Sequence, residues 1–205
     1  SYLINTDDIT KLEESKVINK IKLQKNNSDM IIISDYGHGF ITNKVAKYIS
    51  SCNKFLALNA QVNAANIGFH SLKKYNKINT VIINETELRH ELRNRHKKTE
   101  FLAKKLISLN NIKNLIVTMG SAGSFIVSRN KNLVRCPAFA NKVVDKVGAG
   151  DSMLSIVALC LKLKVPNDVS IFLASIMAAY SVENFATDKI VDKIELKRTV
   201  EFMCK

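Results

Sequence analysis

The sequence predicts an α/β fold whose mostly parallel sheet carries helices on both faces. Short runs rich in β-branched residues alternate along the chain with longer segments whose apolar residues recur at helical spacing. The strand-like runs are almost wholly apolar, as is typical of parallel strands buried on both faces. Residues 124–139 alternate between apolar and polar instead, which predicts an antiparallel hairpin near one edge of the sheet.

The first third of the chain contains two helix–strand pairs. Residues 9–23 have apolar side chains at helical spacing, at Ile9, Leu12, Val17 and Ile21, and predict a helix, and "MIIIS" at 30–34 predicts the first strand. Residues 42–50 predict a second helix with Thr42 as its N-cap, and a second strand follows at 54–59.

The middle of the chain adds two strands with two helices between them. The strands are predicted at 80–84 and 114–120, and the helices at 87–95 and 99–109. The basic run at 89–98 is interpreted as the solvent-facing side of a helix.

The last part of the chain begins with the hairpin and ends in helices. The hairpin is predicted to turn at residues 130–132, where "NKN" separates its two strands. Everything after Val147 is predicted to be helical, in three segments at 149–163, 167–184 and 191–203.

Length and charge limit the function classes. The chain has 205 residues, 46% of them hydrophobic, which suits one domain with a substantial core. Its net charge of +13 has three explanations: surface solvation, attraction of a phosphorylated substrate, or nucleic-acid binding. Only 6 of the 31 basic residues are arginine, and the lysines are spread along the chain. This pattern favours solvation and argues against a nucleic-acid partner.

Cysteine usage and hydropathy point to a reducing, aqueous compartment. Four cysteines lie far apart without CxxC spacing, which predicts reduced and packed thiols. Zinc is not expected, because Asn94 stands where the second histidine of an HExxH motif starting at His90 would be. We expect no signal peptide, because the first residues are polar, and the longest apolar stretch, within 153–163, is too short to span a bilayer. We therefore expect a cytoplasmic protein that does not bind a membrane.

Polar and glycine-containing stretches follow the predicted strands. These stretches are "SDYGHG", "NAQVNAAN", "NETE" and "MGSAG". A fifth, "GAGD", opens the helix at 149–163. Because ligands of parallel sheets gather at the carboxyl ends of the strands, five segments are predicted to converge on one ligand-binding rim.

"GAGD" combines backbone freedom with a carboxylate. Gly148 and Gly150 permit a tight turn and let a ligand approach the backbone, and the unpaired N–H groups of the following helix attract anions such as phosphate. A carboxylate at Asp151 would repel a phosphate, but it could take a proton from an attacking hydroxyl. The alternative is an ordinary helix cap.

Two other rim segments have chemistry that suits a nucleotide. Asn84 and Glu87 of "NETE" lie three residues apart on one helical face, where an amide and a carboxylate can hold Mg²⁺ directly or through waters. The alternative is a simple helix cap. "TMGSAG" offers Thr118 and the backbone of Gly120 and Gly123 to phosphate oxygens, and its alternative is a hairpin turn.

Together these motifs resemble the ribokinase-like (PfkB) family of carbohydrate kinases. "NETE" resembles the family's N-x-x-E motif, "TMGSAG" its T-x-G-x-x-G motif and "DKVGAGD" its D-T-x-G-A-G-D signature, in the family's order. "DMIIISDYGHGFI" and "NAQVNAANIGFHSLKKY" are similar to the kinase module of proteins that join a PfkB domain to a nucleotidyltransferase domain, such as bacterial heptose-phosphate kinases. The resemblance covers roughly residues 2–203.

The resemblance implies transfer of phosphate from ATP to a sugar or sugar-phosphate hydroxyl. Asp151 would be the catalytic base that takes the proton of that hydroxyl. The N–H groups around Gly148, Ala149 and Gly150 would form the anion hole for the transferred group.

The resemblance also assigns residues to the nucleotide and its cations. Asn84 and Glu87 would place Mg²⁺, and Ser175 would lie near the adenine. Asp145 would bind a monovalent cation, but Lys146 departs from the family's threonine, so the sequence does not predict potassium dependence. The donor's phosphate path would be lined by Thr118, Gly120 and Gly123.

The acceptor sugar would meet two of the rim segments. Asp35 and His38 of "SDYGHG", and Asn59 and Asn63 of "NAQVNAAN", are predicted to face it. His38 has the alternative of a plain loop residue.

The resemblance does not extend to the N-terminal third of the family's proteins, which carries other sugar-binding residues and a lid. We therefore expect residues 1–205 to be a single domain, the C-terminal portion of a longer kinase, and to be inactive or slow alone. The alternative is a non-catalytic, degenerate kinase domain that binds nucleotide and regulates an attached nucleotidyltransferase.

Overall fold

A sheet of six strands forms the centre of the molecule. The computed structural model describes residues 7–61, 72–129, 131–140, 142–144, 148–183 and 193–203. The strands are β1 (Met30–Asp35), β2 (Phe55–Ala60), β3 (Ile78–Asn84), β4 (Ile112–Thr118), β5 (Ser124–Ser128) and β6 (Val134–Cys136). They lie side by side in chain order.

The strand directions confirm the predicted α/β fold. β1 to β4 are parallel, whereas β5 and β6 pair antiparallel at one edge. Each predicted strand is present. The bounds of β1 to β5 differ from the predicted ones by at most two residues, and β6 ends at Cys136, three residues before the predicted end of the hairpin. Asn130, at the predicted hairpin turn, lies outside the described residues.

Seven helices pack around the sheet in the described ranges. They are α1 (Lys11–Gln24), α2 (Asn43–Ser51), α3 (Glu85–Glu91), α4 (Thr99–Asn110), α5 (Ala149–Lys162), α6 (Asn167–Glu183) and α7 (Lys193–Met203). Thr42 caps α2 as predicted, since its side chain accepts a hydrogen bond from the N–H of Val45. None of the helices in these ranges is both long and apolar enough to cross a membrane.

The prediction that residues 89–98 form one side of a helix was wrong beyond Glu91. Arg93 has a left-handed backbone with φ of 48°, which a continuing helix does not allow. The Asn94 side chain then accepts hydrogen bonds from the N–H groups of His96 and Lys97. Asparagine competes with helix formation through such local bonds, so the basic run is mostly a loop.

Each face of the sheet has its own hydrophobic core. One core lies under α2, α3 and α4 and includes Leu58, Val81 and Leu115. The other lies under α5 and α6 and includes Ala57 and Ile82. Both faces of the central strands are therefore buried, which explains their continuous apolar runs.

The register of β1 and β2 positions two polar residues beneath α5. Ser34 pairs with Asn59, and Ile33 with Leu58. Successive side chains of a strand point to opposite faces, so Ser34 lies on the α5 face whereas Asp35 points the other way.

Candidate active site

Asp151 lies at the centre of the candidate site, in the first turn of α5. Its Oδ1 accepts a hydrogen bond of 2.7 Å from the Ser34 hydroxyl and one of 3.3 Å from the Asn59 amide. Its Oδ2 accepts a bond of 3.2 Å from the Tyr36 hydroxyl. The carboxylate is thus held at the carboxyl ends of β1 and β2, where the sequence predicted the rim.

The turn before Asp151 suits an anion. Gly148 is the N-cap of α5 and has a left-handed backbone with φ of 80°, which glycine adopts at little cost. Having no side chain, it cannot itself cap the first N–H groups of this 14-residue helix, and the helix dipole adds partial positive charge there. A Cβ on Gly150 would lie 3.4 Å from Nδ2 of Asn59, so α5 passes close to β2 here. Ala149 is the first residue of this helix.

Tyr36 acts on Asp151 as a neutral donor. The charge of the nearby Asp151 carboxylate raises the pKa of Tyr36, and partial burial and the hydrogen bond between them raise it further. The phenol therefore keeps its proton at neutral pH. Its ring stacks on that of His38, with ring centroids 6.4 Å apart, which places His38 beside Tyr36.

Asp35 is not brought to this site. It is 3% exposed, forms an ion pair of 2.7 Å with Lys74 and accepts a hydrogen bond from the Tyr75 hydroxyl. Burial raises the pKa of Tyr75 well above its usual value, and the charge of Asp35 adds to the effect. Asp35 also accepts the N–H of Gly37, so it fixes the start of the "SDYGHG" loop.

Asn84 and Glu87 form a capping box at the start of α3. The Asn84 side chain accepts the N–H of Glu87, and the Glu87 carboxylate accepts the N–H of Asn84, each at 2.8 Å. Their amide and carboxylate oxygens are of the type that Mg²⁺ prefers. Because one oxygen of each already holds a backbone N–H, the pair fits contact through metal-bound water better than direct coordination. In the described ranges, no group of three or more His, Cys, Asp or Glu could hold a metal.

The "TMGSAG" segment is the turn between β4 and β5. Thr118 lies opposite Ser124 across this turn and beside Asn84 of β3, so the turn adjoins the capping box. The N–H of Gly123 donates to the carbonyl of Gly120 at 3.0 Å, so Gly123 closes the turn. The hairpin-turn alternative therefore describes its structure.

Ser175 of α6 lies below the same turn. It is 8% exposed, and its hydroxyl lies 3.1 Å from that of Ser124. Asp145, Lys146 and Asn63, which the sequence also singled out, lie outside the described residues.

Two glycines of this turn give a matched pair of substitutions. We expect Gly123→Ala to destabilise the protein by about 3 kcal/mol, because a Cβ there would overlap the Cys136 carbonyl and the backbone (φ 82°, ψ −140°) is nearly restricted to glycine. Gly120→Ala, at φ 58° in open space, should cost only about 1 kcal/mol. Urea unfolding of both variants tests this, and equal losses would contradict it.

Sequence reasoning missed Ser34 and Tyr36. Both stand in "SDYGHG", where the choice fell on Asp35 and His38 because acids and histidines carry more chemistry. The period of two along a strand was the available signal. It places Ser34, in register with Asn59, on the same face as Asp151.

Comparisons with known proteins show which proteins this chain resembles in sequence and in fold. The sequence is 26% identical over 190 residues to the bifunctional protein HldE of Bradyrhizobium diazoefficiens, covering 91% of this chain and 38% of that protein. The structure superposes on phosphofructokinase-2 of Escherichia coli in complex with potassium with a TM-score of 0.74 at 15% identity, covering 92% of this chain and 62% of the other. For Arabidopsis thaliana ribokinase complexed with ribose and ATP the TM-score is 0.69 at 17% identity, covering 96% and 61%.

These likenesses differ in what they establish. The solved structures show the fold, which is that of ribokinase-like kinases. The chain spans about two fifths of the length of the HldE relative and about three fifths of the two solved kinases. The family description "pfkB family carbohydrate kinase" matches residues 7–194, which is most of the chain. This protein therefore belongs to the pfkB family of carbohydrate kinases.

Proposed function

We propose that the protein carrying this chain transfers phosphate from ATP to a hydroxyl of a sugar or sugar phosphate. The observation that carries the proposal is the placement of Asp151, whose carboxylate lies at the uncapped N-terminus of α5 and at the rim of the sheet. A base and an anion-binding helix end are thereby adjacent, as phosphoryl transfer to an alcohol requires.

The N-terminus of α5 supplies the electrostatic part of the reaction. The transferred group carries its negative charge on three oxygens, and N–H groups around Gly148, Ala149 and Gly150 would donate to them. Such donors are preorganised because they belong to a helix that is already folded. Their contribution is larger in the transition state, where negative charge accumulates.

The neighbouring segments would bind the donor. Asn84 and Glu87 would hold Mg²⁺ through its waters, and the bound ion would neutralise charge on the triphosphate. The turn that contains Thr118 and Gly120 would face the phosphates. Ser175 would lie near the adenine of the nucleotide, and Asp145 is proposed as a ligand of a monovalent cation.

The acceptor would bind on the other side of Asp151. His38, stacked on Tyr36, and Asn59, bonded to Asp151, flank the space in which an acceptor hydroxyl would meet the base. Asn63 remains a proposed acceptor residue. The sequence resemblance to heptose-phosphate kinases makes a heptose phosphate the first acceptor to test. The same resemblance, together with the likeness to a bifunctional protein, supports a nucleotidyltransferase domain as a covalent partner. We further propose a cytoplasmic location.

Binding of the donor can be measured separately from transfer. We expect MgATP at about 100 times its dissociation constant to stabilise the protein by about 2.7 kcal/mol, which raises the melting temperature by several degrees. EDTA should remove most of the shift, and GTP serves as the control for base selectivity. The absence of any MgATP-dependent shift would contradict the nucleotide site.

Transfer decides between the kinase and its alternative. The full polypeptide that carries this chain is incubated with MgATP and a panel of heptose and hexose phosphates, and ADP release is compared with and without each acceptor. Acceptor-dependent ADP release supports the kinase. A MgATP shift without transfer to any acceptor would favour the alternative, a nucleotide-binding domain that regulates an attached nucleotidyltransferase.

A further inference from the structure

We propose that Ser34, Asn59 and Tyr36 are positioning residues that leave Oδ2 of Asp151 as the atom that accepts the substrate's proton. This inference rests on the proposed function, since it needs Asp151 to be the base. It goes further by naming the reactive oxygen and the side chains that select it.

Counting hydrogen bonds distinguishes the two oxygens. An ionised carboxylate has about four acceptor positions, two on each oxygen. Oδ1 accepts from Ser34 at 2.7 Å and from Asn59 at 3.3 Å, so both of its positions are used. Oδ2 accepts from Tyr36 at 3.2 Å, which, among the residues that the structure describes, leaves one position for an incoming hydroxyl.

The donors to Oδ1 start from backbone that the sheet holds in place. Ser34 and Asn59 are register partners on adjacent parallel strands. Asn59 is 4% exposed, whereas Ser34 is exposed, and its hydroxyl is oriented by the hydrogen bond to Asp151. The sheet therefore sets where both donors stand relative to the Asp151 carboxylate, although Asp151 itself belongs to a helix.

Tyr36, the donor to Oδ2, is held in place by the "SDYGHG" loop that contains it. The N–H of Gly37 donates to buried Asp35, and the carbonyl of Gly39 accepts the N–H of Ile9 at 3.2 Å. The backbone is thus fixed on the C-terminal side of Tyr36, while the phenol ring rests on His38. Tyr36 therefore restricts the approach to Oδ2 to one direction.

In the proposed reaction the proton passes to Oδ2, and each bond that forms is matched by one that breaks. The acceptor's O–H bond breaks as its proton passes to Oδ2, and the acceptor oxygen forms a bond to the γ-phosphorus of ATP. The bond between that phosphorus and the β–γ bridging oxygen breaks, and ADP leaves with the electron pair. Asp151 then releases the proton to water, and no other reactant is needed.

The test uses paired variants of the full polypeptide. Ser34→Ala should lower kcat about 10- to 100-fold, the loss typical of one hydrogen bond to a charged group, with little change in the KM for ATP. Ser34→Thr keeps the hydroxyl and should restore most of the rate. Tyr36→Phe keeps the ring and should lower kcat about tenfold. The control Tyr48→Phe removes a buried hydroxyl from α2, which packs on the other face of the sheet from α5, and should leave kcat unchanged.

Two kinetic results would overturn the inference. One is a kcat for Ser34→Ala within twofold of the wild-type value, and the other is failure of Ser34→Thr to restore the rate while folding and the MgATP shift are normal. Either would leave Asp151 as the base, because that assignment is tested by its own substitution.

A double-mutant cycle tests the contact without any transfer assay. Urea unfolding of Ser34→Ala, Asp151→Ala and the double variant, in which each single change removes the contact, should show coupling of at least about threefold in the unfolding equilibrium constant. Coupling below that level overturns the inference even if the polypeptide has no kinase activity. Coupling in a protein that transfers no phosphate would instead show that the proposed function had failed while the positioning contacts were real.

Discussion

Replacing Asp151 with asparagine should lower kcat by about 10²- to 10⁴-fold, the usual contribution of a positioned general base. Asparagine has nearly the same shape and keeps one oxygen for the hydroxyl of Ser34, so α5 should fold and MgATP should still raise the melting temperature. What the amide lacks is a basic oxygen for the acceptor's proton. Steady-state transfer with the best acceptor, together with the MgATP shift, measures both properties in one preparation.

Asp168→Asn is the matched control for that substitution. Asp168 is also an aspartate in the first turn of a helix, α6, but it is exposed. Within the described structure its side chain accepts a hydrogen bond only from the N–H of Val169. It shares any general effect of removing negative charge at a helix N-terminus. Normal turnover in Asp151→Asn, or an equal loss in both variants, would contradict the assignment of the base.

The largest loss of stability is expected from Lys74→Met. Lys74 is 14% exposed and its ammonium lies 2.7 Å from the carboxylate of Asp35, which is 3% exposed. The same ammonium donates to the carbonyl of Ile41. Removing it takes a cation away from direct contact with a buried carboxylate, which typically costs about 3–5 kcal/mol. Urea unfolding measures the loss.

Two companion variants separate burial from charge. Lys44→Met breaks an ion pair of 3.0 Å with Glu14 in which the lysine is 65% exposed, and it should cost at most about 1 kcal/mol. Asp35→Asn combined with Lys74→Met removes both charges and should recover part of the loss. A cost for Lys74→Met no greater than that for Lys44→Met would show that the buried pair does not stabilise the fold.

The fold could be predicted because its determinants are local. Buried parallel strands need continuous apolar runs such as "MIIIS", and the loops at their carboxyl ends must be polar. Those two requirements give the order of the elements and one shared rim. The prediction at 89–98 was wrong because neither composition nor charge reveals that Arg93 adopts a left-handed backbone.

The candidate site could be predicted only in part. Asp151 and the glycines before it could be recognised from the sequence. A glycine-rich helix start attracts anions, and a carboxylate there would repel them, so its presence indicates a role other than anion binding. The roles of Asp35 and Ser34 could not be predicted, although the two residues are adjacent in the sequence. Chemical type favoured the acid, but the pleat of β1 turns that acid towards Lys74 and away from Asp151.

The sequence by itself determined the succession of strands and helices, the rim where the loops meet, and the helix start that carries Asp151. The tertiary structure alone decided which side chains surround that carboxylate, and that Asn84 and Glu87 bond each other's backbone. The physical reason is that strand runs and helix periods are encoded within short segments. Contacts such as those of Ser34 and Asn59 with Asp151 join residues 117 and 92 positions apart, and depend on register and on how α5 lies across the sheet.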